Sequence, residues 1–576
     1  MKRRIFDLDS RGYFTRGGQR ILPVGVNYWP ASCGVQMWRA WPEEEIRRDL
    51  DLVSQLGFNC VRFFLLWQDF EPKAGRYNGA AFRRLAQFLG WCRERKLLAQ
   101  PSLMVGWMSG GIFWPEWKGD KNLFTDPGLG RRAAVFAAKA ARVCAAYCDT
   151  VLAIDQGNEI CCLPDCLSAP PAAVERWCGA LSAAIRKGFP TALVISGNEQ
   201  NQIVSDTGWR FGAQPGCDLY SMHAYPNSAW HSLQFDGMTD PLAQSLLPLY
   251  VKCARAFGPV MVQEFGTIFT IGSCCDDYLR AILPACWEAG ANGFLWWSLR
   301  DFAANGHPYN KNAFEGPLGL AGADDRVKAV LRFFAEFAAS LPSRPVPVTD
   351  QGEVALYWPR HYYLRDDPLN PGNDPRALSR RLAIAHFTLT ELGHRVGIVR
   401  GDQPLENLSA RTIVVAGAAL TAEEVTALTV WVKTGGRLVW HGIDVTTWGD
   451  AATELVGAAP ADLRAPRAEG VNAFGTLWNF REFPRHVFLE VVPSGAHVDA
   501  ADHAGHPILL HHRLGCGAVA ACLAQVDDTF AAESDDRAVR GRWNRWYEGM
   551  LALAGHTAAK DTSSSLTAPA KKFRIA

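Results

Sequence analysis

From residue 23 to about residue 302 one pattern recurs along the chain. A short run rich in β-branched or aromatic residues ends on polar residues, and a longer run with apolar side chains three and four apart follows. The short runs fall at 23–27, 59–66, 97–103, 151–155, 192–196, 218–222, 259–262 and 292–297, which predicts eight strands. Amphipathic stretches at 43–56, 80–95, 131–148, 172–188, 241–257 and 276–289 predict helices between them. Eight β-then-α units in about 280 residues match a (β/α)8 TIM barrel. A doubly wound open sheet also gives eight units. It usually brings a glycine-rich phosphate loop after its first strand, and Gly25-Val26-Asn27-Tyr28-Trp29-Pro30 is not one.

The pattern changes after Leu341, so residues 1–341 are taken as the barrel domain. Pro342-Ser343-Arg344-Pro345-Val346-Pro347 opens a stiff linker over 342–349. A second α/β series fills 350–555, with strands expected at 354–357, 396–399, 412–415, 437–440 and 517–523. Helices are expected near 379–392, 422–433 and 542–553, and a strand-rich stretch spans 474–512. This predicts a smaller, open, flavodoxin-like α/β domain carrying a β-rich insertion. The tail, 556–576, lacks apolar periodicity and is expected to be disordered.

Composition narrows the class without choosing a chemistry. Hydrophobic residues make up 48% of the 576 and charged residues 20%, ordinary for a globular chain. Lys+Arg 59 against Asp+Glu 58 gives a net charge of +1, which offers no field for nucleic acid. No run of about 18 apolar residues is present, so no membrane helix is expected. Acids interrupt the amino-terminal Met1-Lys2-Arg3-Arg4-Ile5-Phe6-Asp7-Leu8-Asp9 before an apolar leader core forms, which points to the cytoplasm. Of 16 Cys, several sit inside apolar helical runs (Cys92, Cys144, Cys148, Cys178) and read as reduced, buried thiols. Cys161, Cys162 and Cys166 cluster, but adjacent Cys pairs seldom share one ion and no C-x-x-C spacing appears. Neither metal nor cofactor is expected.

In such barrels the working residues lie at the carboxyl ends of the strands. The fourth run ends Asp155-Gln156-Gly157-Asn158-Glu159 and the seventh ends Val262-Gln263-Glu264-Phe265-Gly266, so two carboxylates reach one face from nearly opposite sides. Retaining glycoside hydrolysis needs two carboxyl groups about 5 Å apart, one protonated and one ionised. Arg62 ends the second strand and Tyr225 follows the sixth. Placed beside Glu264, both would lower its pKa, as suits a nucleophile. Glu159 has only Asn158 beside it in sequence, and a less polar seat would keep it protonated.

These residues resemble a family. Asn158-Glu159, Glu264, Arg62, His223-Ala224-Tyr225 and Trp297 together look like the retaining glycoside hydrolases of clan A, with glycoside hydrolase family 5 closest. Trp67-Gln68-Asp69-Phe70-Glu71-Pro72 is similar to the strand-two loop of that clan and of family 42 β-galactosidases. The resemblance covers about residues 20–340. It implies Glu159 as acid/base, Glu264 as nucleophile, Asn158 as partner of the sugar 2-hydroxyl, and Trp297 in the subsite floor. Arg62, His223 and Tyr225 are carried over as further binding residues. The third strand ends Met104-Val105-Gly106-Trp107, without the histidine many family 5 members have there.

Gly197-Asn198-Glu199 copies the Gly-Asn-Glu of strand four. Strand counting gives the acid role to Glu159 and leaves Glu199 a sugar-binding or structural one. Trp114 and Trp117, in the long loop after strand three, are the expected sugar platform, with Trp29, Trp67, Trp107, Trp230 and Trp296 as further candidates. Trp296 and Trp297 are adjacent on a strand, so only one can face the pocket. Residues 350–555 resemble the glutamine-amidotransferase-like domain of family 42 enzymes. The turn His441-Gly442-Ile443-Asp444 holds no Cys, which implies a non-catalytic domain that assembles a homo-oligomer or walls the active site. The expected function is therefore a retaining β-glycosidase, exo-acting on β-linked oligosaccharides, with mannoside, galactoside and glucoside all open. The alternative is a catalytically silent sugar-binding or assembly protein.

Overall fold

The structure is a computed structural model. It describes residues 4–204, 208–226, 237–267, 273–347, 352–364, 375–443, 447–464, 470–480 and 488–556. Trp230, Asp444 and the tail beyond residue 556 lie outside these, as do parts of the expected linker. Eight parallel strands close into a barrel. They are β1 (Val24–Tyr28), β2 (Cys60–Phe64), β3 (Leu98–Met104), β4 (Ile154–Gly157), β5 (Val194–Ser196), β6 (Leu219–His223), β7 (Val260–Phe265) and β8 (Ala291–Trp296). β8 pairs back onto β1. Buried on both faces, these strands read as continuous apolar runs rather than alternating ones.

The outer helices are α1 (Glu43–Gln55), α2 (Gly79–Glu94), α3 (Pro127–Ala145), α4 (Pro171–Gly188), α5 (Leu246–Arg255), α6 (Ser273–Glu288) and α7 (Val330–Ser340). Local chemistry sets their starts. The Asn78 side chain accepts from the N–H groups of Ala80 and Ala81, and Asp126 accepts from Leu129 with Pro127 in the first turn. The helix expected over 241–257 breaks at Ser245 into Pro241–Gln244 and α5.

Two boundaries moved for a physical reason. β4 begins at Ile154, Val151 making only an isolated bridge to Ala99. β7 runs on to Phe265, so Gln263 and Glu264 lie within the strand. Inward polar side chains that bond one another across a barrel look like a strand end when hydropathy is read alone.

The amino terminus, taken above as a charged start, forms a three-stranded sheet of Phe6–Leu8, Phe14–Arg16 and Gln19–Arg20. Phe6 and Phe14 pack with Cys60, Leu98, Leu219 and Met261 at or near the amino ends of their strands. This plugs the barrel floor and leaves the opposite end for chemistry.

The second domain is an open seven-stranded sheet in the order β10-β9-β11-β12-β15-β14-β13. Its strands are β9 (Val354–Trp358), β10 (Val396–Arg400), β11 (Thr412–Ala416), β12 (Arg437–His441), β13 (His497–Ala501), β14 (Pro507–Leu514) and β15 (Gly517–Cys522). The five on the β10 side, through β15, are parallel in flavodoxin-like order. Helices α8 (Pro375–Glu391), α9 (Ala422–Lys433) and α10 (Arg540–Leu553) cover it. Polar contacts lock the domains together. Arg537 and Arg540 pair with buried Asp240 at 2.9 and 2.6 Å, and Lys252 donates to His386 at 2.9 Å. No helix among the described residues is long and apolar enough to cross a membrane.

Candidate active site

At the carboxyl end of the barrel, β4 and β7 bring Glu159 and Glu264 together with His223. One oxygen of each carboxylate and a ring nitrogen of His223 all lie within 4.8 Å of one another. Glu159 gets there by a left-handed backbone, φ 44° and ψ 49°, which a non-glycine residue adopts only when its surroundings insist. Glu264 is the register partner of His223 across β6 and β7, where the ladder slips at Met222 and His223.

Beneath the carboxylates lies a buried polar network. The Arg62 guanidinium donates to Glu264 at 2.5 Å, Asp155 at 2.8 Å, Asn158 at 2.9 Å and Asn27 at 3.0 Å. Asp155 also accepts from the Ser102 hydroxyl at 2.7 Å. The Tyr225 hydroxyl donates to the other Glu264 oxygen at 2.8 Å. One guanidinium charge is thus divided between Asp155 and Glu264. Burial and the Glu159 charge push the Glu264 carboxyl up; His223, Arg62 and Tyr225 pull it down. The net direction is upward. The partners expected from sequence are in place, but burial outweighs the lowering expected of them.

His223, expected above as a binding residue, instead orients the carboxylates. Its Nε2 faces the Gln263 side-chain oxygen at 3.1 Å, and the Gln263 amide nitrogen is committed to Gln100 at 2.9 Å. Nε2 therefore donates, leaving Nδ1 to Glu159 at 3.1 Å. When the ring is charged, its Nδ1–H donates across that contact. Burial works against the imidazolium, but the Glu264 charge and the Glu159 bond outweigh it, so the His223 pKa is raised.

Above the network opens a pocket of about 430 Å³, lined by Trp107, Asn158, Glu159, Tyr225, Glu264, Trp297, Asn312 and Glu315 among others. A third carboxyl, Glu315, accepts from the Trp297 indole N–H at 3.1 Å, and burial raises its pKa to about 7. One wall is the hairpin of Trp107–Met108 with Gly111–Ile112, pinned to the loop after β8 as Asn312 donates to the Ser109 carbonyl at 3.3 Å. Gly110 permits that approach: its φ is +80°, and a Cβ there would stand 2.9 Å from Asn312.

Several expected binding residues sit elsewhere. Arg62 and His223 are 0% and 1% exposed and hold the carboxylates from below instead of lining the pocket. Glu199 is buried behind Glu159, accepting from the Cys161 thiol at 2.9 Å and the Asn201 N–H at 2.8 Å, where burial raises it to about 7. Neither Trp114 nor Trp117 lines the pocket. Trp117 packs edge-on against Trp67 at 5.0 Å and donates to the Glu71 carbonyl, while Trp114 covers Gly106. Their loop needed a core of its own. Trp107 takes the wall position, and Trp296 is fully buried behind Trp297. Cys166 stands apart from the Cys161, Cys162 and Glu199 group. The described residues lining the pocket all come from the barrel domain. Sequence reasoning missed Asn27, Ser102, Gln263, Asn312 and Glu315. Asp155 and Gln263 did stand inside the two strand-end motifs already singled out.

An eight-stranded barrel with two carboxylates this close at its carboxyl end defines a class, the retaining glycoside hydrolases. The family model Cellulase (glycosyl hydrolase family 5) matches residues 27–303. Exo-beta-1,4-mannosidase Op5Man5 from Opitutaceae bacterium strain TAV5 is 48% identical, with 94% of this chain and 99% of that one covered and a TM-score of 0.90. The chain belongs to glycoside hydrolase family 5. A GH5_18 from Streptomyces cattleya, solved with GlcNAc, is 22% identical over 69% of this chain and 98% of that one, with a TM-score of 0.59. A polyextremophilic beta-galactosidase from the Antarctic haloarchaeon Halorubrum lacusprofundi shares the fold, at 16% identity, TM-score 0.69, and coverage of 93% and 90%. No curated protein matches.

Proposed function

We propose that the chain is an exo-acting β-mannosidase working by double displacement on short β-linked oligosaccharides. The observation that carries the mechanism is the carboxylate pair within 4.8 Å, too close to seat the water an inverting enzyme needs between them. Glu264, gripped by Arg62 and Tyr225, attacks the anomeric carbon. Glu159 gives the leaving oxygen a proton, then takes one from water in the second step. Asn158 commits one amide hydrogen to the Trp107 carbonyl at 3.0 Å and keeps its second for the sugar 2-hydroxyl. Trp297 forms the floor.

Exo action is supported by the pinned walls, which close the pocket with the barrel's own loops. The choice of mannoside rests on the 48% identical exo-mannosidase. A cytoplasmic setting fits sixteen free thiols. Homo-oligomer contacts through the second domain fit Leu463, Leu477 and Val492, which stay 51–60% exposed on its β-rich insertion.

The test is a panel of nitrophenyl β-glycosides followed by trapping with a 2-deoxy-2-fluoro-β-mannoside. Release from the mannoside and an adduct on the Glu264 peptide are expected. An adduct on Glu159 or Glu199 overturns the roles, and no turnover of any glycoside makes the chain a silent binder.

A further inference from the structure

In the second domain, three loops meet at the amino ends of β9, β10 and β11. Glu353 stands just before β9, His394 just before β10, and His556 follows the last turn of α10. One oxygen of Glu353 and one nitrogen of each imidazole lie within 4.8 Å of one another. The two rings meet edge-on, centroids 5.0 Å apart. His556 Nδ1 bonds Thr412 Oγ1 at 2.8 Å, while its Nε2 is buried and has no hydrogen-bond partner. A buried, unpartnered ring nitrogen is costly unless something else occupies it. In the tautomer whose Nδ1–H donates to Thr412, Nε2 keeps a lone pair free for an ion. This is how metal-bound histidines are held, one nitrogen on the ion and the other oriented by a neighbour.

We propose that Glu353, His394 and His556 bind one zinc-type divalent transition ion. Two imidazoles and a carboxylate suit zinc or cobalt better than magnesium or calcium, which prefer oxygen. Ligands about 2.1 Å from a tetrahedral ion stand roughly 3.4 Å apart, so any donors spread towards the 4.8 Å bound draw in on binding, and water takes the fourth place. Glu353 is free to do so. Its present ion pair with Arg395, at 3.6 Å, is a weak surface one, the Arg395 side chain being 63% exposed. Ligands of a doubly wound sheet sit at the carboxyl strand ends. An ion at the amino ends is therefore structural, tying the end of α10 to the first three strands of the second domain.

The chain with both domains is stripped with EDTA and treated with diethyl pyrocarbonate, with and without Zn²⁺, and labelling is mapped histidine by histidine. Mapping is needed because His497, Asp499 and His511 on the β13–β14 hairpin also stand within 4.8 Å of one another. Zinc is expected to slow labelling of both His394 and His556 at least tenfold, and Glu353→Gln to raise the zinc needed for that protection at least tenfold. Equal labelling of His394 and His556 with and without saturating zinc overturns the proposal. So does protection unchanged in a Glu353→Gln chain of native circular dichroism. If that variant fails to fold, the wild-type comparison alone decides.

Discussion

Replacing Tyr225 with Phe deletes one hydroxyl and leaves the ring in the pocket wall. The lost contact is the 2.8 Å bond to Glu264, in a site where that carboxylate is 4% exposed. A hydrogen bond to a charged group contributes about 1.5–3 kcal/mol. Its loss from the ionised nucleophile should lower kcat/KM by roughly 10- to 150-fold. The sign of the pH effect follows from the same bond. The hydroxyl pulls the Glu264 pKa down, so removing it raises that pKa. Glu264 must be ionised to attack, so the acidic limb of the kcat/KM profile moves to higher pH. Steady-state rates on a nitrophenyl β-glycoside, taken from acid to neutral pH for both proteins, test this. Activity within twofold of wild type and an unmoved acidic limb would refute the assignment of Glu264 as nucleophile held by Tyr225.

Other outcomes follow from the same geometry. Glu159→Ala should be rescued by azide with a β-configured glycosyl azide as product, since azide needs no base; rescue of Glu199→Ala instead would exchange their roles. Glu199 and Glu315 are both raised by burial from 4.5 to about 7, so each favours the folded state fully below about 4.5. That contribution is lost as pH rises towards 7, so Tm should fall over this window, and a Glu199→Gln, Glu315→Gln double variant should flatten the fall. A Tm trend equal in both proteins counts against it. Asp240→Ala strips Arg537 and Arg540 of their shared carboxylate and should cost about 3–5 kcal/mol in chemical unfolding. A loss below 1 kcal/mol would mean that the domains hold without that clamp.

The barrel, and the strand ends where its chemistry falls, were legible in the order of residues alone. Strands buried on both faces leave uninterrupted apolar runs, and helices packed on one side leave a three-and-four spacing; both are local signals. The same reading set Glu159 and Glu264 on one face, because each ends a strand of a parallel sheet. It failed where the decisive contact is long-range. Nothing near Glu159 in sequence announces His223, 64 positions away, nor the Gln263 and Gln100 chain that fixes which nitrogen donates. Whether Arg62 lowers Glu264 was equally hidden, because its charge is divided with Asp155 in a site where burial opposes it. Trp114 and Trp117 looked like a sugar platform because an exposed loop rich in tryptophan is either a ligand surface or a small core. Only the position of Trp67 beneath them decides between the two. Glu315 carried no motif at all. Burial and the Trp297 indole N–H give it its raised pKa and its place in the pocket, and both are properties of the closed barrel, not of the chain.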